Sequence, residues 1–243
     1  MKFEDKRTYQ NSSELSWGQE RSEKLENVTS EDVADSPFLY MDRRLFAQAL
    51  AKTKLYELVR NVQGSIIECG VHRGNSLMLF SHLVSTLYPC GFNRKVIGFD
   101  TFSGFTGLTE RDSAGISEGD LGDVDYHHLS EWVEFQQRNN FIPHVSRTSL
   151  VKGDADTTIA QYFIDNPHTI VALLYMDFDL YKPTKTALET IIPHMPKGAV
   201  IAFDQLNQEK WHGETAALKD VLSLNDMPLR TFEFEPHISY AVL

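Results

Sequence analysis

The apolar run 170–176 ends in Asp177-Phe178-Asp179-Leu180-Tyr181, and the run 199–203 ends in Asp204-Gln205. Asp177 and Asp204 stand 27 positions apart, the span of one strand–helix–strand unit. Two carboxylates and an amide oxygen brought to one sheet edge suit a hard divalent cation such as Mg²⁺, so Asp177, Asp204 and Gln205 are the candidate metal ligands. A carboxylate there can also take a proton, which makes Asp177 a candidate base. The competing reading is that Asp177 and Asp204 cap the helices that follow them, since Pro183 and Thr184 read as a helix start. Asp179 reads as a cap or a supporting acid. His212, in His212-Gly213-Glu214-Thr215, opens a later helix. It is a candidate to touch substrate or act as a base, against the plainer reading of a surface histidine.

A second group of residues points to a small-molecule cofactor. In Ile66-Ile67-Glu68-Cys69-Gly70-Val71-His72-Arg73-Gly74-Asn75-Ser76, a strand ends in an acid and two glycines lead into a helix. Gly70 lets the backbone turn sharply and approach a ligand, and Gly74 brings up a helix N-terminus whose free N–H groups favour a carboxylate or phosphate. The spacing is E-x-G-x-x-x-G. It lacks the glycine arrangement that holds a dinucleotide pyrophosphate, which speaks against an NAD-dependent dehydrogenase. The next apolar run, Val96-Ile97-Gly98-Phe99-Asp100, also ends in an acid. At that place in a doubly wound fold an acid accepts ribose hydroxyls, or it caps a loop. A third run leads into Gly153-Asp154-Ala155-Asp156, where Asp154 also reads as a helix cap. His72 and Arg73 are ambiguous between ligand contact and pairing with an acid.

The elements that must position these groups alternate along the chain. Helical spacing of apolar residues marks 43–60, 74–88, 184–195 and 213–224, and short apolar runs mark strands at 65–69, 95–99, 147–152, 170–176 and 199–203. The chain closes with 229–235 and 237–243, an antiparallel pair joined by a tight turn at Glu235-Pro236. Such alternation predicts an α/β fold, a doubly wound and mostly parallel sheet with helices on both faces. The segment 101–140 breaks the pattern with Gly104, Gly107, Gly115, Gly119 and Gly122 and six acids before Tyr126. A long glycine-rich connection of this kind reads as an active-site lid. Residues 1–36 read as an aperiodic extension or lid, docked through Tyr9 and Trp17 with Phe38 and Tyr40 just beyond. Residues 37–243 form the main domain.

Composition narrows the function classes. The chain has 243 residues, 23 Lys+Arg against 34 Asp+Glu, and a formal charge of −11. No basic cluster offsets that surplus, so no nucleic-acid partner is expected. The longest apolar run is seven residues, 170–176, and the first 30 residues hold no apolar leader, so neither a membrane span nor a signal peptide is expected. Cys69 and Cys90 both read as lying in buried elements, without a disulfide framework, which predicts a reducing, cytoplasmic setting. Exposed aromatics in the last strands, Phe232, Phe234 and Tyr240, leave a homodimer open beside plain core packing.

The glycine loop resembles motif I of class I S-adenosylmethionine-dependent methyltransferases. From about Phe38 to the C-terminus the chain resembles the macrocin O-methyltransferase family, which includes the mycinamicin and novobiocin sugar O-methyltransferases. The resemblance rests on Glu68-Cys69-Gly70-Val71-His72-Arg73-Gly74, Gly98-Phe99-Asp100-Thr101-Phe102-Ser103-Gly104-Phe105, Met176-Asp177-Phe178-Asp179-Leu180-Tyr181 and His212-Gly213-Glu214-Thr215. It implies a class I, Rossmann-like sheet of seven strands, S-adenosylmethionine, Mg²⁺, and methylation of a sugar hydroxyl on a nucleotide sugar or glycosylated natural product. Carried onto this sequence, Gly70 and Gly74 would shape the methionine pocket of the donor, and Glu68, Val71, Asn75 and Ser76 would be further cofactor-binding residues. Asp100 would bind ribose, Asp154 or its neighbour would face the adenine, and Thr101, Phe102, Gly153 and Asp177 would also be cofactor-binding. Asp177 and Asp204 would hold the metal. Relatives place an acid or asparagine after the later aspartate, where this chain has Gln205, and an aromatic residue before the motif I arginine, where this chain has His72. Two other readings stand beside this one: a Mg²⁺-dependent O-methyltransferase of another small diol, such as a catechol, and a nucleotide-binding module that has lost catalysis.

Overall fold

The computed structural model describes residues 12–243, with side chains from residue 16 onward. The described residues divide into two compact units, one ending at Phe46 and the other running from Ala47 to Leu243. In the first, three helices follow one another: α1 (Ser12–Leu25), α2 (Ser30–Asp35) and α3 (Pro37–Tyr40). Thr29 opens α2 with reciprocal bonds, its hydroxyl accepting from Asp32 N while the Asp32 carboxylate accepts from Thr29 N. Arg21 Nη2 donates to the Tyr40 carbonyl at 2.6 Å. The sequence reads as aperiodic here because these helices have little apolar face: α2 and α3 bury no residue, and Trp17 is half exposed. Tyr9 lies outside the described residues.

Helix α4 (Arg43–Val59), which belongs to the second unit from Ala47 onward, presents Ala51, Leu55, Tyr56 and Val59 to the core at helical spacing. Strands and helices then alternate as the sequence predicts: β1 (Ser65–Cys69), α5 (Asn75–Leu87), β2 (Val96–Asp100), α6 (Tyr126–Gln137), β3 (Thr148–Lys152), α7 (Ala155–Asp165), β4 (Val171–Met176), α8 (Tyr181–Ile191), β5 (Val200–Phe203), α9 (His212–Val221), β6 (Arg230–Phe232) and β7 (Glu235–Val242). One seven-stranded sheet has the order β3-β2-β1-β4-β5-β7-β6. The first five strands are parallel, and β7 runs antiparallel to both neighbours. Every residue of β1, β4 and β5 is buried, which is why these strands read as unbroken apolar runs rather than alternating ones. The pleat sends alternate residues to two cores. Ile66, Leu173 and Tyr175 meet Leu55 and Phe80 on one face, while Ile67, Leu174 and Ile201 meet Ile159 and Leu188 on the other.

Several expectations need correction. The segment 101–140 is not all loop, because α6 occupies its second half. Leu129 and Val133 of α6 face the core, but Trp132 and Phe135 stand about half exposed on the other side and blur the helical period. Helix α8 starts at Tyr181 and stops at Ile191, and a 3₁₀ turn over Ile192–His194 follows, since Pro193 has no N–H to continue the ladder. The closing turn lies at Glu233-Phe234, not at Glu235-Pro236. Pro236 is the second residue of β7, where the ladder slips between the Thr231–Ser239 and Phe232–Glu235 pairs, so no hydrogen bond is asked of its nitrogen. Cys69 is buried as expected, but Cys90 is exposed in the turn after α5; both are free thiols.

Candidate active site

The strand order reverses between β1 and β4, and at such a switch point the loops leaving the strands part to form a crevice. Backbone hydrogen bonds continue past the strand ends and lock these loops together. Gly70 N donates to Phe99 O at 2.9 Å, Gly153 N to Asp100 O at 2.9 Å, Asp177 N to Cys69 O at 2.7 Å and Asp204 N to Met176 O at 3.0 Å. Gly70 has φ of +96°, and a Cβ there would stand 2.0 Å from the Asp177 carbonyl oxygen, so the first loop lies directly against the start of the acidic one. Asp100 ties the first loop to the second: its Oδ2 accepts from Val71 N and His72 N, both at 2.8 Å, and its Oδ1 accepts from Phe102 N at 2.6 Å.

A cavity of about 350 Å³ opens at this edge. Of the residues expected around a cofactor, Glu68, Gly70, Val71, Asn75, Ser76, Asp100, Thr101, Gly153, Asp154 and Asp177 line it, as do Asp204 and Gln205. Gly74 does not. It takes the left-handed conformation at the start of α5, and its missing Cβ leaves room for Leu129 of α6. Phe102 is buried in the core against Tyr126 rather than facing the cavity. Asp154 does two things, lining the cavity while its carboxylate caps α7 by accepting from Asp156 N at 2.9 Å. His212 is not brought to the cavity: its side chain is exposed and Nδ1 contacts the Glu209 carbonyl. All five non-glycine residues with positive φ among those described (His72, Phe102, Leu121, Asp179 and Asn207) lie in or beside the cavity loops. Such conformations cost about 1–3 kcal/mol each and gather where a site dictates the backbone.

Asp177 and Asp204 cap no helix. Leu180 is the N-cap of α8, and its first N–H is served from far away: Tyr181 N donates to Asp112 Oδ1 at 2.6 Å. Asp112 also accepts from Thr109 N and Oγ1 through its other oxygen, so the glycine-rich segment is fastened to the start of α8. Phe105, Ile116 and Leu180 form a small apolar cluster beneath that segment, with Leu121 and Trp211 against it. The segment therefore has its own anchor, and Gly104, Phe105, Thr106, Gly107 and Leu121 supply one wall of the cavity.

The acids at the end of β4 and β5 crowd one another. Burial, then Asp204 and Asp179, push the Asp177 carboxyl well above the usual range, and burial with Asp204 pushes Asp179 up to about 8. The Tyr175 hydroxyl donates to Asp204 Oδ1. Glu214, fully buried on α9, accepts through Oε1 from Phe178 N at 3.0 Å and Asp179 N at 3.2 Å. Gly213 has no room for a side chain, since a Cβ would stand 2.5 Å from Asp112 Oδ1 and 2.8 Å from Asp179 O. Thr215 Oγ1 accepts from Asn207 N at 3.0 Å. The Gly213-Glu214-Thr215 motif thus clamps both loops that carry the candidate ligands. Sequence reasoning missed this function, and it missed Lys52 and Gln48, which reach the cavity from α4.

Comparison with known proteins adds a family to this geometry. Residues 67–206, more than half of the chain, match the family model described as "Methyltransferase domain". The chain belongs to this methyltransferase family. None of the curated proteins matches the sequence. Among solved structures, the methyltransferase is similar to CalS11, the calicheamicin methyltransferase, at 33% identity over 96% of this chain and 94% of that one, with a TM-score of 0.90. It is likewise similar to an apo structure of CalS11, described as TDP-rhamnose 3'-O-methyltransferase, at 32% identity over 96% of each chain and a TM-score of 0.82. The O-methyltransferase NovP shares the fold at 20% identity, covering 81% of this chain and 79% of that one, with a TM-score of 0.62. The methyltransferase has the class I fold, the fold of enzymes that use S-adenosylmethionine, and its sheet has the mostly parallel order with antiparallel C-terminal strands that the sequence predicted. Among the described residues no helix is long and apolar enough to cross a membrane.

Proposed function

We propose that this methyltransferase moves a methyl group from S-adenosylmethionine to a hydroxyl of a sugar-bearing small molecule, a nucleotide sugar or a glycosylated natural product, assisted by Mg²⁺. The observation that carries the reading is the meeting of the glycine loop with Asp177, Asp204 and Gln205 in one cavity. Its likeness to CalS11 over nearly the whole of both chains supports the sugar as acceptor.

The donor set suits a hard cation. Asp177 and Asp204 supply carboxylates, and the buried Oε1 of Gln205 has no hydrogen-bond partner. Among the described residues no three His, Cys, Asp or Glu side chains group as a metal site, so this set depends on the Gln205 amide oxygen for its third protein ligand. When bound, Mg²⁺ supplies a Lewis acid that lowers the pKa of an acceptor hydroxyl. The donor supplies a methyl carbon on a positively charged sulfur.

The chain's own residues position and enclose. The Asp100 carboxylate, held by three backbone N–H groups, fixes the loop at Gly70 to the one after β2 and leaves one lone pair, on Oδ1, for a ribose hydroxyl. Phe105, Leu121, Phe178 and Leu180 wall the cavity and exclude water, which is what aligning two reactants in a closed site requires. Bound against the loops at Gly70, Asp100 and Gly153, the donor would supply its methyl carbon to the acceptor oxygen and would leave as the neutral thioether, which keeps the electron pair of the broken carbon–sulfur bond. The hydroxyl proton passes to a cavity carboxylate, which we assign to Asp177; His212 does not reach. Free thiols at Cys69 and Cys90 support a cytoplasmic setting.

Calorimetric titration with S-adenosylhomocysteine beside NAD tests the first half. Binding near the micromolar range, about −8 kcal/mol, with no NAD signal is expected, and no binding of the homocysteine product overturns the reading. Transfer from labelled S-adenosylmethionine to nucleotide sugars, glycosides and catechols, with and without a chelator, tests the second half. Activity confined to catechols, or undiminished by the chelator, overturns the sugar acceptor or the metal respectively.

A further inference from the structure

Lys52 is a buried lysine that the fold has no obvious need to bury. It lies on α4, before the first strand and outside the residues matched by the family model, yet only 4% of it is exposed and it lines the cavity. Lysine is almost never buried this completely unless it is paired. Its Nζ donates to Ser76 Oγ at 2.5 Å and stands 4.8 Å from the centre of the Tyr175 ring. Those contacts occupy two sides of an ammonium group that carries three N–H donors. The nearby charges are Glu68 and Asp177, whose carboxyls Lys52 works to lower against the effect of burial.

Two further features point to an anion beside Lys52. Ser76 belongs to the first turn of α5, a helix of 13 residues whose N-cap, Gly74, has no side chain to satisfy the first N–H groups. Such a helix start favours negative charge. Across from it, Glu68 Oε2 is buried, faces the cavity and has no hydrogen-bond partner. A lysine with donor capacity to spare and a carboxyl oxygen without a partner, both lining one cavity, form a donor–acceptor pair set to receive a zwitterion. The other lysine and arginine side chains in the cavity wall, Lys182 and Arg73, are already ion-paired with Asp156 and Asp123. The acid side chains of the wall, Asp100, Asp154 and Asp204 among them, offer a carboxylate no partner.

We propose that Lys52 is the anchor for the α-carboxylate of the methyl donor, working with the N-terminal turn of α5, while Glu68 faces the donor's ammonium group. The assignment rests on S-adenosylmethionine as the donor. It explains why a charged residue is buried in α4: the helix that precedes the sheet carries half of the amino-acid subsite. The simpler alternative is that Lys52 only neutralises Glu68. The two differ in what Lys52 distinguishes, because a carboxylate anchor discriminates between ligands and a structural counter-charge does not.

The test titrates S-adenosylhomocysteine and its decarboxylated analogue, which keeps the amine, into the wild type, Lys52→Met and Lys52→Gln. The wild type is expected to prefer the carboxylate-bearing ligand by about 10- to 100-fold, the worth of a charge-assisted hydrogen bond. In both variants that preference is expected to fall to within about threefold, with the loss confined to S-adenosylhomocysteine. Lys52→Gln keeps a hydrogen-bonding partner for Ser76 and serves if Lys52→Met does not fold. Equal weakening of both ligands, or an unchanged preference in a folded variant, overturns the assignment alone. A wild type that binds neither ligand overturns the donor reading and this assignment with it.

Discussion

Replacing Glu214 by alanine tests whether α9 holds the acidic loop in place. In the folded protein one carboxylate oxygen accepts from two backbone N–H groups, Phe178 N at 3.0 Å and Asp179 N at 3.2 Å, and both lie in the loop that carries Asp177. Alanine removes from a fully buried site the acceptor that both N–H groups share. An unpaired buried donor costs about 1–3 kcal/mol, and deleting a buried side chain adds a cavity cost, so Glu214→Ala should lose about 3–5 kcal/mol. For a domain of this size that is a fall in Tm of about 6–20 °C. Glu214→Gln keeps a carbonyl oxygen for the same two N–H groups and should lose no more than about 1.5 kcal/mol. The assay is urea unfolding of the metal-free protein, followed by methyl transfer for each folded variant. If Glu214→Ala lies within about 1 kcal/mol of the wild type, the clamp is wrong, since that is below the cost of even one unpaired donor. If the glutamine variant is as unstable as the alanine variant, the hydrogen bonds are not what Glu214 contributes.

Other perturbations follow from the same geometry. Burial raises the Glu68 carboxyl from 4.5 to about 8, so the folded state holds this proton more tightly than the unfolded chain. Its contribution to stability is full below pH 4.5 and fades as pH rises towards 8, by up to about 1.4 kcal/mol per pH unit; urea midpoints of the ligand-free protein should show a shallower decline in Glu68→Gln, and equal slopes would refute it. Gly70→Ala forces a Cβ to 2.0 Å from the Asp177 carbonyl at a φ of +96°, whereas Gly115→Ala meets nothing within 4 Å. The first should cost at least about 2 kcal/mol and weaken S-adenosylhomocysteine binding, while the second should change neither, and thermal melts with calorimetry would show it. Asp177→Asn should abolish turnover and leave product binding nearly unchanged; full turnover in that variant would remove Asp177 from the chemistry.

Much of the fold was legible because its strands are buried on both faces. Residues 171–176 and 200–203 admit almost no polar side chain, so each strand announces itself and its last acid marks where the site begins. Helix α6 was hidden by its own exposed aromatics, Trp132 and Phe135, which put apolar residues all round it. The loop acids were legible as a set, but what each one holds was not. Glu214 acts on backbone 35 and 36 residues earlier in the chain, and no local pattern encodes that partner. Lys52 looked like one more charge on an amphipathic helix, since periodicity shows which face a residue occupies and not what lies above it. His212 shows the converse: it sits in a motif whose neighbours matter, while its own side chain points away.

The bond between Tyr181 N and Asp112 Oδ1 joins residues 69 positions apart, so α8 lacks its first partner until the glycine-rich segment has docked. The Tyr181 amide can exchange its hydrogen with solvent only when that segment lifts. Its protection factor therefore counts how often the segment is away, in the protein as it stands and without a label. Ligands that enter beneath the segment should slow that exchange, whereas amides in the middle of β4 keep the rate set by global unfolding. One backbone hydrogen thus serves as a built-in gauge of how open the cavity is.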